Sequence, residues 1–368
     1  NSDQLPAPEG VFDRLIQFSI QNAIWVMLFI VAWIGIGIYS YQKLPIDAVP
    51  DITNTQVQIN TQATGFTALE VEQRITYPIE NSMAGLPKLE QTRSISRYGL
   101  SQVTIIFKDG TDIYWARQQI NQRLQEAQAE LPNEIAPTMS PVSTGLGEIY
   151  QWVIKADPNA KKPDGTAYSA MDLREIQDWI VRPQLQRVAG VAEVNSIGGF
   201  NKTYVVTPDL NRLQQLQIPL TDLQIALTQN NENRGAGFIE NNGQQMTVRV
   251  PGTLNSIEDI QNVTLAHKNG FPIRVADVAT VSIGHDLRTG GATYNGEEAV
   301  LGIAMMMMGE NSRTVAQAVD AKVKTIQQSL PKGVMIETVY DRTDLVERAI
   351  KTVQKNLVEG AILVIVIL

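Results

Sequence analysis

Residues 15–42, LIQFSIQNAIWVMLFIVAWIGIGIYSYQ, run for 28 positions without a charge, between Asp13 and Arg14 on one side and Lys43 on the other. At 1.5 Å per helical residue, roughly 20 apolar residues span a bilayer core, so this segment is long enough to cross with some tilt. A signal peptide is the rival reading, but its apolar core is usually about 7–15 residues and ends at a small-residue cleavage site. Here the core continues through Trp33, Ile34, Ile36 and Ile38 into Tyr39 and Tyr41, which fit an interfacial aromatic belt. The expectation is a retained transmembrane helix, preceded by a polar leader at 1–14.

Three hundred mostly polar residues follow, and the sequence ends on 360–368, GAILVIVIL. Nine residues are too few to span a membrane, yet their composition is that of a spanning helix. Residues 343–357 form an amphipathic lead-in with no cap or Gly/Pro stop behind it. The alternatives are a short buried core helix or the start of a second transmembrane helix, and the lead-in favours the second. Between the two apolar segments the chain is long enough for two or three domains. A net charge of −8 argues against a nucleic-acid partner. The absence of cysteine excludes a disulfide framework and any thiolate metal site.

The patterning of the polar region is that of a repeated unit. Prolines 45 and 50 launch an extended segment, and 56–61 alternates with Val57 and Ile59 inward. Thr67 to Glu70 reads as a capping box opening a helix to about Gly85, with a kink at Pro78. Strands at 88–97 and 101–107 come next. A second helix then has apolar positions 113, 116, 120, 124, 127 and 131 and a stop at Pro132, followed by a closing strand at 135–139. Strand, helix, strand, strand, helix, strand is the ferredoxin-like βαββαβ order. The same landmarks recur. Thr67, Ile75, Pro78 and Gly85 have counterparts at Asp172, Ile180, Pro183 and Gly190, all shifted by 105. Gly110, Asp112, Ile120, Leu124, Leu131 and Pro132 match Gly309, Asn311, Val319, Val323, Leu330 and Pro331, shifted by 199. The second copy therefore holds about 94 extra residues between its middle strands, within 198–298.

Particular segments carry a family resemblance: LPIDAVPDITNTQVQIN (44–60), QRITYPIENSMAGLPKLEQTRSISRYGLSQVTIIFKDGTD (73–112), STGLGEIY (143–150), DLREIQDWIVRPQL (172–185), GENSRTV (309–315) and VYDRTDLV (339–346). With them, the chain from about residue 11 onward resembles the N-terminal part of the heavy-metal efflux branch of the resistance–nodulation–division (RND) transporters, in the cobalt–zinc–cadmium subgroup. The resemblance implies an α+β membrane protein: transmembrane helix 15–42, a first ferredoxin-like porter unit at 43–139, and a second at 140–197 with 288–341. An inserted docking subdomain occupies 198–287, and 342–368 is the lead-in to a truncated second transmembrane helix. It further implies a homotrimer in the Gram-negative inner membrane, its large domain in the periplasm, working with a periplasmic adaptor and an outer-membrane channel. Such pumps are proton antiporters, not enzymes. They need no cofactor beyond the divalent zinc, cobalt or cadmium ions they carry, and their proton-relay carboxylates lie outside this chain.

Without cysteine, metal contacts must come from histidine, carboxylates and methionine. Imidazole with carboxylate suits borderline ions such as Zn²⁺ or Co²⁺. His285 beside Asp286 stands at the return from the insertion; the alternative is a surface loop. His267 reads as part of a hairpin turn. Glu148 opens the apolar run 149–154, where a charge costs free energy unless paired or bound to a cation; an ion pair with an arginine is the alternative. Met305 to Met308 suggest a soft thioether site, but consecutive strand residues alternate faces and methionine commonly fills cores, so packing is the preferred reading. Asp47 and Asp51 are turn residues that could also draw cations towards the membrane surface. The phosphate-loop pattern is only loosely approached at 198–203, where Asn201 replaces the glycine before Lys202. The expected function is proton-driven export of divalent heavy metals. The alternatives are a multidrug exporter, disfavoured by eight Phe in the whole chain, or a non-transporting periplasmic binding and assembly module.

Overall fold

The computed structural model describes residue 10, residue 16, and residues 18–43, 53–133, 135–241, 243–250, 252–268, 270–288 and 290–367. The leader (apart from Gly10) and the segment carrying Asp47 and Asp51 lie outside the described residues. The first helix, α1 (Ala23–Lys43), presents Ile24, Trp25, Leu28, Phe29, Val31, Trp33, Ile34 and Ile38 on all sides, every one exposed. Each such side chain left in water forgoes about 1.5–3 kcal/mol. A helix apolar all round is stable in hydrocarbon and not in water. Among the described residues it is the one helix long and apolar enough to cross a membrane.

A four-stranded antiparallel sheet follows, in the order β2 (Leu89–Arg97), β3 (Leu100–Phe107), β1 (Gln56–Gln62), β4 (Thr138–Met139). Two helices, α2 (68–83) and α3 (Ile113–Ala127), cover one face. Val57 and Ile59 of β1 and Val103, Ile105 and Phe107 of β3 meet Ile75, Ile79 and Met83 of α2 and Ile120 and Leu124 of α3. The Thr67–Glu70 capping box is present. Around Pro78, where a kink is expected, α2 runs from Ala68–Val71 through one π turn, Glu72–Thr76, into Tyr77–Met83. Proline has no N–H for the carbonyl one turn back, and widening the turn lets the Tyr77 N–H bond Glu72 instead. Helix α3 (Ile113–Ala127), capped by Asp112, stops before the expected Pro132 because the chain turns at Glu130, although Leu131 remains buried. The closing strand shrinks to two residues, since Pro137 cannot donate to a ladder.

The second sheet has β14 (Glu297–Met306) between β5 (Glu148–Ala156) and β6 (Val191–Ile197), with β15 (Val334–Asp341) outside β5 and β13 (Ala292–Tyr294) on the first residues of β14. Helix α4 again contains a π turn, Gln177–Val181, between Ala170–Ile176 and Arg182–Leu185, and again a proline follows it. With α9 (Ser312–Gln327) it covers a core of Tyr150, Trp152, Ile154, Val194, Ala304 and Met306. Trp152 lies over Gly302, where a Cβ would come within 2.2 Å of the indole. Its Nε1 donates to Gln177 Oε1 at 3.0 Å, and Gln177 donates onward to Ser196 at 3.2 Å, so the buried polar groups are satisfied. The Tyr150 hydroxyl bonds Asp320 and Thr338, and burial holds its ionisation well above the ordinary phenol range.

Between β6 and β14 the chain makes three two-stranded ribbons. They pair β7 (Lys202–Pro208) with β12 (Ala279–His285), β8 (Arg234–Asn241) with β9 (Gln244–Val250), and β10 (Thr264–Lys268) with β11 (Phe271–Arg274). Leu213, Leu223, Ile260, Val275, Val278 and Val281 form a separate core here. The neck at Gly198 and Gly199 requires glycine twice over. Both have positive φ, and a Cβ on Gly198 would meet the Ala299 carbonyl at 2.3 Å. After β15 the chain enters one continuous helix, numbered α10 because short helices α5 (Leu210–Leu216), α6 (Leu220–Gln229), α7 (Ile257–Gln261) and α8 (Val275–Val278) lie in the insertion. Helix α10 (Arg342–Ile367) is seated by its first turn, and its apolar far end is exposed.

Two outcomes follow for stability. Gly302→Ala should destabilise the second sheet by about 1–3 kcal/mol through overpacking against Trp152, read by thermal or denaturant unfolding. Burial raises the Asp172 carboxyl, but hydrogen bonds from Ser169 and Lys162 outweigh it and hold it below the ordinary 3.8. Its folded value is depressed, so its contribution is complete above 3.8 and is lost as pH falls through the folded value. In Asp172→Asn the acid limb of a stability–pH profile should flatten.

Candidate functional site

Strict alternation along β5 would turn Glu148 to the same side as Tyr150 and Trp152, into the helix-covered core. A β-bulge prevents this. Tyr150 pairs with Ala304 but Glu148 pairs with Met305, so Ile149 is the extra residue. Ile149 goes fully into the core and Glu148, half-buried, swings to the opposite face. The neighbouring ladder has a matching irregularity. Met305 pairs with Glu193 of β6 and Met306 with Val191, skipping Ala192.

Two rows therefore cross three strands. One is Glu148–Met305–Glu193, and the next is Gln151–Ile303–Asn195. Each amide supports the carboxylate on its own strand: Gln151 Nε2 donates to Glu148 Oε2 at 3.1 Å, and Asn195 Nδ2 donates to Glu193 Oε1 at 3.2 Å. With strands about 4.8 Å apart, the two glutamate backbones are on the order of 10 Å apart, a span that two glutamate side chains can close around one cation. Neither glutamate takes part in an ion pair among the described residues, in contrast to the arginine partner that sequence reasoning offered for Glu148. Neutral amides orient the carboxylates while leaving their charge uncompensated. Glu193 was not a sequence candidate. Its signal, Glu-x-Asn alternating on a short strand, becomes meaningful only through its register with Glu148.

The methionine run divides differently from simple alternation. Only Met305 and Met306 belong to β14, Met306 in the helix-side core and Met305 buried under the carboxylate row. Met307 and Met308 lie past the strand, and Met307 is exposed.

His285 ends β12, opposite Lys202. Its Nδ1 lies 2.9 Å from the carbonyl of Asp286. A carbonyl only accepts, so Nδ1 carries the proton, and in the neutral ring Nε2 is the nitrogen left to accept. The ring rests on Phe200 at 4.7 Å, and the Asp286 carboxylate accepts from Asn201 at 2.7 Å. The structure keeps this pair apart from Glu148. Glu193 and Ile197 are four residues apart on β6, about 13 Å, and His285 lies beyond Ile197 across the neck. Among the described residues no group of three His or carboxylate side chains converges as a metal cage. His267 sits on β10 opposite Pro272, exposed.

A model of the AcrB/AcrD/AcrF family matches residues 15–368. The chain belongs to this family. Within it, the chain is 60% identical over 358 residues to the cation efflux system protein CzcA of Alcaligenes sp. (strain CT14), covering 97% of this chain and 34% of that protein. Identity is also 60%, over the same shares of each chain, to the cobalt-zinc-cadmium resistance protein CzcA of Cupriavidus metallidurans. A crystal structure of a heavy metal efflux pump superposes with a TM-score of 0.84 at 31% identity, over 95% of this chain and 34% of that one. The chain thus spans about a third of the length of the curated relatives it matches. The chain is CzcA-like, a member of the RND family, with a mixed α/β fold that resembles the porter region of the heavy metal efflux pump.

Proposed function

We propose that this chain is the N-terminal part of a proton-driven exporter of zinc-, cobalt- and cadmium-class cations. The pump is a homotrimer in the Gram-negative inner membrane, with its large domain in the periplasm, acting with a periplasmic adaptor and an outer-membrane channel. In this reading 43–139 and 140–197 with 288–341 are two ferredoxin-like porter units, 198–287 is the docking subdomain, and 342–368 leads into a second membrane helix. The shared strand order and the paired π turns before Pro78 and Pro183 support the tandem repeat.

The observation that carries the substrate class is the uncompensated pair Glu148 and Glu193 above Met305. Two hard oxygen ligands, each held by a neutral amide, suit a divalent ion that keeps part of its water shell. A transported ion must leave as well as bind, and two protein ligands fit that better than a closed four-ligand site. His285, through Nε2, and Asp286 form a second and separate contact at the neck, on the route between porter unit and docking subdomain. The full-length pump, with its adaptor and channel, should protect cells lacking their own efflux systems against zinc or cobalt. Glu148→Gln and Glu193→Gln should each weaken Zn²⁺ affinity about tenfold or more and remove that protection at normal expression; His285→Ala and Asp286→Ala should reduce it. Unchanged zinc tolerance in these variants would overturn the site. Protection against copper or a lipophilic dye, and not zinc, would overturn the substrate class.

A further inference from the structure

Arg342 opens α10 yet is only 5% exposed. A guanidinium stays charged at any physiological pH, so burying one is costly unless its donors find acceptors. Nη1 donates to the carbonyl oxygen of Leu146, inside the single 3₁₀ turn Gly145–Gly147. That turn delivers the chain directly into Glu148. It has no slack on its other side, because Gly147 presses on the backbone of Met306, where even a Cβ would lie 3.0 Å from the carbonyl oxygen. The register places α10 at the same corner: Asp341 pairs with Tyr150, so the helix begins where β5 begins.

The corner is itself closed. The Thr343 N–H donates to Asp341 Oδ1 at 2.8 Å, and Thr343 and Val346 are buried. Arg313 of α9 reaches Glu347 of α10 at 3.4 Å. From there α10 continues unbroken to Ile367, with Val353, Leu357 and the apolar residues 362–367 exposed. One stiff rod thus joins the Leu146 carbonyl at one end to an apolar segment at the other.

We infer that Arg342 is a positioning residue. It fixes the Leu146 carbonyl, holds the bulge that turns Glu148 out of the core, and ties the aim of that carboxylate to the axis of α10. The inference rests on reading Glu148 and Glu193 as the metal contact. Its consequence is a link between tilt of the apolar helix and the separation of the carboxylates, so that affinity for the ion changes when the helix moves. Arg342 is itself a cation and takes no part as a ligand.

The test is Zn²⁺ binding to the purified full-length pump by calorimetry, comparing the parent with R342Q, R342K, E148Q and the E148Q/R342Q double variant. R342Q should weaken Zn²⁺ affinity about tenfold, the scale of lost outer-sphere support. In the double variant affinity should fall no further than in E148Q alone, because Arg342 acts through Glu148. R342K, which keeps the charge and one donor, should recover part of the loss and stands in if R342Q fails to assemble. A merely structural Arg342 would lower the melting temperature and leave Zn²⁺ affinity unchanged, or its effect would add to that of E148Q; either result overturns the inference. Unchanged affinity in E148Q overturns the metal reading itself. Weakened affinity in E148Q beside parental affinity in R342Q and R342K overturns the positioning role alone.

Discussion

Strand β14 is bonded on both edges, to β5 along one side and to β6 along the other, and much of this chain depends on that double ladder. Its backbone groups have no outlet but the neighbouring strands, so an insertion of some ninety residues must leave and return without disturbing either register. The neck solves this with close packing. Gly198 and Gly199 let the chain turn against the Ala299 carbonyl, in the first residues of β14. The insertion then builds its own core and hands the chain back.

The same ladder makes the candidate site. The irregularity towards β5 brings Glu148 to the face away from the helices and level with Met305, where Glu193 already stands by regular alternation with the core residue Val194. Had β5 alternated strictly, Glu148 would lie in the apolar core without a partner, at a cost of several kcal/mol. The bulge avoids that cost, and the ladder holds both charges on a sheet face, where backbone geometry is more sharply defined than in a loop.

The two main sheets share more than a strand order. Both units place a proline just after a π turn in the helix following their first strand. A widened turn leaves carbonyls that a regular helix would have paired, and polar side chains gather nearby: Thr76 with Ser96 and Ser101 in one unit, Gln177 with Trp152 and Ser196 in the other. The partners differ while the backbone device is kept, as expected when the missing proline N–H is the common cause.

By itself the sequence determined the apolar first helix, the positions of many strands and helices around the two main sheets, and capping residues such as Thr67 and Asp112. These follow from period, caps and turn residues, which act over a few positions. It also singled out Glu148, because a charge at the start of an apolar strand is locally anomalous. Only the tertiary structure decided which way Glu148 points, that Glu193 and not His285 is its neighbour, and that Arg342 grips the turn before it. Bulges and cross-strand register come from pairing between segments more than a hundred residues apart, as between Glu148 and Met305. A one-residue shift there reverses every face while leaving the local pattern of the sequence unchanged.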